Sequence, residues 1–384
     1  MDFKFNEQQE MFRRTVRKFA ETELPPLVDI FDKEDRFPHE IRPKLAALNL
    51  YGVIFPEKYG GAGADHVSLA IVWEEVARIL PAIGIHIQLA YVVGDEFNRL
   101  GSEEQKQKWL VPIITGQKVG CFAFTEPETG SNPKMLQTTA RTEKGGYVLN
   151  GTKRWITHAP FADVGLIFAK DDSGDISLFM VETDRKGWST GKTWELMGLR
   201  GDMLSEVYLD NVWIPKENLL GAGGGKFLEL KRAMTLGKLG LSSQCVGIMQ
   251  AALEDSIKYA NNRMHLDQPI TSLQSTRWLL AEMACRLEAC RSLLYHTAWI
   301  KDTVTDVDEL IKWVAMCKIF VGGTAVDVVR MGMNVHGVYG YCKDYRIERL
   351  FRDVKSYELL EGSTEIQREL VATRVIKDYL TKSG

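Results

Sequence analysis

One acidic residue in this 384-residue chain stands where a carboxylate could act on a bound molecule: Glu361, followed by Gly362-Ser363-Thr364. A glycine directly after it lets the backbone come close to a ligand. Thr364 and Gln367 have the spacing of a capping box for a final helix, which places Glu361 in the loop ahead of it. A carboxylate so placed serves as a general base when held about 3 Å from the proton it removes. Spacing alone favours the plainer alternative, a surface carboxylate drawn to the helix dipole. Other chemistries have less to work with. The six cysteines form no CxxC pair and show no metal spacing with histidine, so they read as reduced thiols of a cytoplasmic protein without a metal site. The glycine-rich stretch at 57–63 lacks a following Lys-Ser pair and reads as a connection. No GxGxxG follows a strand, so a nucleotide cofactor is not held by that fingerprint.

The elements that must position Glu361 change character twice along the chain. From Asn6 to about Leu110 apolar residues recur at helical spacing, as in Phe12, Val16 and Phe19. Between Gly120 and Pro215 the pattern turns to short strands. Segments 136–142 and 147–155 flank the turn Lys144-Gly145-Gly146, and 164–170 and 176–182 flank 171–175. Residues 206–214 alternate as a further strand. Strands joined by such turns predict a small antiparallel sheet or barrel rather than a parallel one. After the glycines at 221–225 the helical pattern returns, with long runs at 271–303 and 306–335 that suit an antiparallel bundle. The predicted architecture is α+β, with a helical unit at 1–119, a β domain at 120–224 and a helical bundle at 225–384.

Composition narrows the function classes. Hydrophobic residues make up 45% and charged residues 26%, and the net charge is −3, so no basic surface for nucleic acid or phospholipid is indicated. The amino terminus lacks the apolar core of a signal peptide, and no run reaches the roughly 18 apolar residues of a membrane span.

Four ordered segments carry a resemblance: CFAFTEPETGS at 121–131, NGTKRWIT at 150–157, NLLG at 218–221, and RDVK at 352–355 with EGSTEIQR at 361–368. Together with the helix–β–helix order, they make the chain resemble the acyl-CoA dehydrogenase family over nearly its whole length. The resemblance implies FAD, an acyl-CoA thioester substrate, an electron-transfer flavoprotein as oxidant and a homotetramer. It implies removal of the α-hydrogen as a proton by Glu361 and of the β-hydrogen as hydride by flavin N5. The Glu361 amide N–H would be one donor to the thioester oxygen, and a flavin ribityl hydroxyl the other. The same site run in reverse would be an enoyl-CoA reductase.

By the same resemblance Phe122, Phe124 and Thr125 would face the isoalloxazine, with Trp155 and Thr157 against another part of the ring. Gly130 and Ser131 would approach the acyl-CoA or the flavin side of its pocket, and Gly362 and Lys238 would lie at the substrate. Arg263, Gln274 and Gly337 would reach the FAD of a neighbouring subunit, where a guanidinium can pair with pyrophosphate. The acyl pocket would draw on the helix through 85–97, with Tyr91 and Gln88 shaping it for a cyclic, branched or polar acyl group.

The chain departs from the family pattern at several of these places. Asn132 stands for an aspartate, His158 for an asparagine, Leu204 for a threonine and Lys238 for an arginine. Leu266 replaces an aromatic wall near the adenine, and Asp267 and Val338 replace glycines. These changes motivate an alternative of another class, a non-catalytic scaffolding relative with impaired FAD binding. Asp95 and Glu96 close the 85–97 helix and read as a solvated end rather than a second catalytic pair.

Overall fold

The computed structural model describes residues 4–225 and 227–382. Helix α1 (Glu7–Glu23) opens on a capping box between Asn6 and Gln9 and lays Val16 and Ala20 into the core. Two short helices, α2 (Val28–Asp32) and α3 (Arg42–Ala47), lead to α4 (His66–Ala77) and α5 (Pro81–Leu100). Both α4 and α5 are buried almost all round, which is why their sequences show no polar stripe. The short α6 (Glu103–Gln105) and α7 (Val111–Ile114) then feed the first strand.

The middle of the chain is a seven-stranded sheet: β1 (Gly120–Ala123), β2 (Thr139–Glu143), β3 (Gly146–Thr157), β4 (Val164–Lys170), β5 (Ile176–Glu182), β6 (Trp188–Thr190) and β7 (Leu204–Pro215). Its main pairings are antiparallel: β2 with β3, β3 with β7, β6 with β7 and β4 with β5. The predicted hairpins form, and β4 and β5 have the predicted bounds. The all-antiparallel expectation needs one correction. β1 runs parallel to β4, with Gly120 opposite Val164 and Ala123 opposite Ile167, and Thr139 of β2 meets Lys170 in the same sense. The sheet has its own core, including Cys121, Leu149, Ile167, Phe179 and Val212.

Helix α8 (Phe227–Asn262) is the central element of the carboxyl half and packs against both α4 and α5. A small hairpin, β8 (Met264–His265) and β9 (Gln268–Pro269), turns the chain into α9 (Gln274–Thr303). Helices α10 (Val307–His336), α11 (Arg346–Ser356) and α12 (Thr364–Lys382) complete the fold. One apolar core runs from Val16 through Ile83 and Val246 to Leu350, joining the two helical parts. No described helix is long and apolar enough to cross a membrane.

Candidate active site

Glu361 sits in the loop between α11 and α12 at φ 57°, and Gly362 follows at φ 87°. Two successive left-handed residues make a sharp turn that costs a non-glycine residue about 1–2 kcal/mol, so the surroundings must hold it. Lys318 of α10 does so, its Nζ donating to the Gly362 carbonyl at 2.7 Å. The Gln367 amide donates to the same carbonyl at 3.2 Å. Gln367 therefore ties the loop from inside α12. The predicted capping box is not formed, because Thr364 is already helical and its hydroxyl donates back to the Glu358 carbonyl at 3.3 Å.

The half-buried carboxylate of Glu361 rests on α8 at Gly237, where a β-carbon would come within 2.5 Å of Oε1. Burial holds its carboxyl above the ordinary range, and the charges of Lys238 and then Lys318 pull it back. Burial in turn pushes Lys238 and Lys318 down to about 8. The Glu361 backbone N–H has no partner among the described residues, leaving it free to donate to a ligand oxygen.

A second group lies on the sheet. The Arg154 N–H donates to the Thr125 carbonyl at 2.8 Å, which brings the 121–131 and 150–157 segments edge to edge. Beneath them a buried ion pair joins Glu126 to Lys153 at 2.8 Å, and Lys153 also donates to the carbonyls of Phe124 and Phe168. Above it Trp155 is 47% exposed at φ 59°, with Trp194 at 4.9 Å and the Arg154 guanidinium over both indoles. Thr125 and Thr157 are half-buried, and their hydroxyls have no partner among the described residues. Phe122 is half-buried beside Phe168. Phe124 turns its ring into the core edge-on to Phe168, which corrects its expected place on a ring wall. Ser131 is exposed beside Gly130.

The sheet is fixed to the Glu361 loop through α11. The Leu199 N–H donates to Asp353 at 2.7 Å, and Arg352 pairs with Asp32 and reaches the Met197 carbonyl. Burial pushes the Asp353 carboxyl up to about 6.

His158, read as an unconventional group beside Thr157, is fully buried at φ 64° with Asp202 Oδ1 at 3.2 Å and the ring of His86 at 4.8 Å. Neither of its ring nitrogens has a hydrogen-bond partner of good geometry. The left-handed backbone suits the asparagine it replaces as well as it suits histidine.

Other expectations change place. Tyr91 is fully buried, stacked on Phe55, and its hydroxyl donates to Leu50 and accepts from the Val53 N–H. It pins the 50–53 loop, so its expected role in shaping the acyl pocket is corrected to packing. Gln88 instead faces α8, its Oε1 bonded to Gln244 at 2.7 Å. Asp95 and Glu96 are not a solvated helix end, since both pair with Arg99 and Glu96 is buried.

Arg263, Gln274 and Gly337 are all exposed. Gly237 and Arg263 are 26 positions apart (263 − 237) on or just past α8, so roughly 40 Å of helix separates them. Around Arg263 is a cavity of about 460 Å³ lined by Tyr259, His336 and Tyr339. Leu266, Trp278 and Val338 stand exposed nearby in sequence to these residues. Leu266 and Asp267 take φ 47° and 64°, so the hairpin keeps a left-handed turn without glycine. Sequence reasoning missed Gly237, Lys318 and Gln244. Only Lys318 offered a signal, as a lone cation in an apolar stretch of helix. No group of three or more His, Cys, Asp or Glu among the described residues could hold a metal ion.

Comparison with known proteins agrees with this layout. Three family models match consecutive parts of the chain: acyl-CoA dehydrogenase N-terminal domain at 6–117, middle domain at 121–212 and C-terminal domain at 227–376. A 3-(aryl)acrylate reductase of Clostridium sporogenes is 38% identical, over 97% of this chain and 100% of that protein. A caffeyl-CoA reductase-Etf complex subunit of Acetobacterium woodii is 35% identical over 97% and 99%. The solved structure of butyryl-CoA dehydrogenase from Megasphaera elsdenii superposes with a TM-score of 0.94 at 31% identity, covering 98% of this chain and 100% of that one.

Proposed function

The chain belongs to the acyl-CoA dehydrogenase family, and we propose that it interconverts an acyl-CoA thioester and its α,β-enoyl counterpart with Glu361 as the base. The observation that carries this reading is the seating of the Glu361 carboxylate on Gly237 between two buried lysines. An α-proton beside a thioester is weakly acidic, so the site must both raise the base and stabilise the charge it creates. Burial raises the base. The free N–H of Glu361 gives a donor for the thioester oxygen, as an oxyanion hole does. Lys238 and Lys318 supply positive charge beside the developing enolate and draw the Glu361 carboxyl back down.

FAD fits the second group, and when bound it supplies the acceptor for the β-hydride. Trp155 offers an exposed flat face there, and Thr125 and Thr157 offer free hydroxyls at neighbouring strand edges. The buried Glu126–Lys153 pair holds those edges in register. Arg263 lies roughly 40 Å along α8 from Gly237, and Gln274 at the start of α9 and Gly337 at the end of α10 are exposed like it. We assign them to the FAD of a second copy, consistent with a homotetramer and with the exposed Leu266, Trp278 and Val338. The electron partner in this reading is an electron-transfer flavoprotein.

A second reading runs the site in the reductive direction, with Glu361 returning a proton to the α-carbon. It is favoured by the names of two relatives, a 3-(aryl)acrylate reductase and a caffeyl-CoA reductase-Etf complex subunit. The same residues serve both directions. The non-catalytic alternative gives no account of why Glu361 is seated on Gly237 beside Lys238 and Lys318. Anaerobic mixing of the flavoprotein with acyl-CoAs, and of its reduced form with enoyl-CoAs, tests the proposal. Bleaching by the first or reoxidation by the second is expected, and no spectral change with either class would overturn it.

A further inference from the structure

Strand β3 breaks step with β7 at Arg154 and Trp155. Lys153 faces Val207 and Ile156 faces Ser205, so β3 uses one residue more than its partner between these pairs. The extra residue makes a β-bulge, which re-aims a side chain out of the regular pleat. Trp155 is the side chain re-aimed, with its backbone left-handed at φ 59° and its indole 47% exposed. A bulky residue is strained in that conformation, and contacts from other elements must hold its ring at one angle.

Those contacts come from β7 and from the segment after β6. The Trp194 ring lies 4.9 Å from that of Trp155, with the two planes tilted by 40°. The Arg154 guanidinium stands over both indoles, 5.2 Å and 5.4 Å from the ring centroids. Glu206 of β7 steadies this cation, its Oε1 lying 3.4 Å from Arg154 Nε. The Glu206 carboxylate has room because residue 191 is glycine, where a β-carbon would come within 2.9 Å of Oε2. Trp194 is anchored in its own right. Its backbone N–H donates to the Leu204 carbonyl at 2.9 Å, and the Gly191 N–H donates to the Glu206 carbonyl at 3.0 Å. Five residues on, Leu199 is bonded to Asp353 of α11.

We propose that Trp194 is a positioning residue which, with the Arg154–Glu206 pair, holds the Trp155 indole in the orientation that a flavin ring stacks on. This rests on the reading of Trp155 as part of the flavin wall. Trp194 and Arg154 flank the Trp155 ring, and its exposed remainder is the surface left for a planar ligand. The clamp is fastened to β7 and, through Leu199, to α11, so the indole is ordered before any ligand arrives. A wall ordered in advance binds more tightly than one that must be ordered on binding.

The test is a double-mutant cycle read on release of FAD from the holoenzyme, with the visible spectrum of the bound flavin recorded on the same samples. Trp194→Ala is expected to weaken FAD retention by about 10-fold and to move the flavin spectrum toward that of free FAD. Trp194→Phe keeps an aromatic face and removes an indole N–H that is buried without a partner, so retention should stay within about 3-fold of wild type. Arg154→Met removes the cation and keeps an apolar stem, for an expected loss of about 3-fold. In a Trp155→Ala background, Trp194→Ala should add no more than about 2-fold, because its effect passes through Trp155. Unmoved retention and spectrum in Trp194→Ala, or the same 10-fold loss in both backgrounds, overturns the proposal. Melting temperature is read on every variant. Should Trp194→Ala not fold, the Arg154→Met loss carries the test: a loss seen only when Trp155 is present supports the clamp, and an equal loss or none in both backgrounds overturns it. Wild-type retention and spectrum in Trp155→Ala would instead overturn the reading of the flavin wall on which the proposal stands.

Discussion

The carboxylate of Glu361 lies against the bare backbone of Gly237, close enough that a β-carbon there would stand 2.5 Å from Oε1. The base is thus positioned by an absence on a helix far away in sequence. Gly237→Ala separates stability from function. In a helix interior alanine is favoured over glycine by about 1 kcal/mol, and the atom it meets is the end of a flexible side chain. The expected outcome is an unchanged or raised melting temperature with turnover reduced about 10-fold or more, measured on one preparation. A misplaced base of about 1 Å accounts for a loss on that scale.

Lys318 links loop geometry to charge. Its removal in Lys318→Met takes away the 2.7 Å bond to the Gly362 carbonyl and one of the two charges that lower the Glu361 carboxyl. Losing a lowering influence raises the carboxyl further. The acid limb of the kcat/KM profile should therefore move to higher pH, and a limb that stayed in place or moved down would contradict the assignment.

The Glu126–Lys153 pair supports the flavin-facing strands from below. Lys153→Met leaves a buried carboxylate without its cation, a change that costs about 3–5 kcal/mol. Denaturant unfolding should show that loss together with a reduced flavin content. The double variant Glu126→Gln with Lys153→Met should recover part of it, since no lone charge is then buried.

Arg263 and Gln274 are expected to matter for FAD and not for the fold of the single chain, because both are exposed. Arg263→Ala should weaken FAD retention by about 10- to 100-fold, the scale of a lost charge-assisted hydrogen bond of about 1.5–3 kcal/mol. Flavin released per chain, read beside the oligomeric state, checks this. Full retention would place the adenine end elsewhere.

Much of the layout was legible because it is local. The strands at 164–170 and 176–182 are bounded by Asp171-Asp172-Ser173-Gly174-Asp175, whose residue types make a turn whatever surrounds them. The parallel pairing of β1 with β4 was not, since nothing in four residues from Gly120 announces a partner beyond the next hairpin. Tyr91 was misplaced for a different reason. Helix α5 is buried on every side, so its sequence has no polar stripe to say which residue faces which neighbour. Gln88, one turn earlier, has the contact with α8, and only the glycine at 240 reveals it. The motif around Glu361 was readable as a motif, but its support was not. Gly237, Lys318 and Gln244 come from two other helices, and their roles exist only once α8 and α10 are packed against the loop.

The most direct measurement of the central claim is anaerobic flavin bleaching by an acyl-CoA that the wild type accepts, repeated on Glu361→Gln. The substitution keeps the size and the seat on Gly237 while removing the basic oxygen. The account predicts that flavin and ligand still bind and that the bleaching rate falls by at least about 10³-fold, within the range for a positioned general base. Bleaching at a near-normal rate in that variant would contradict it.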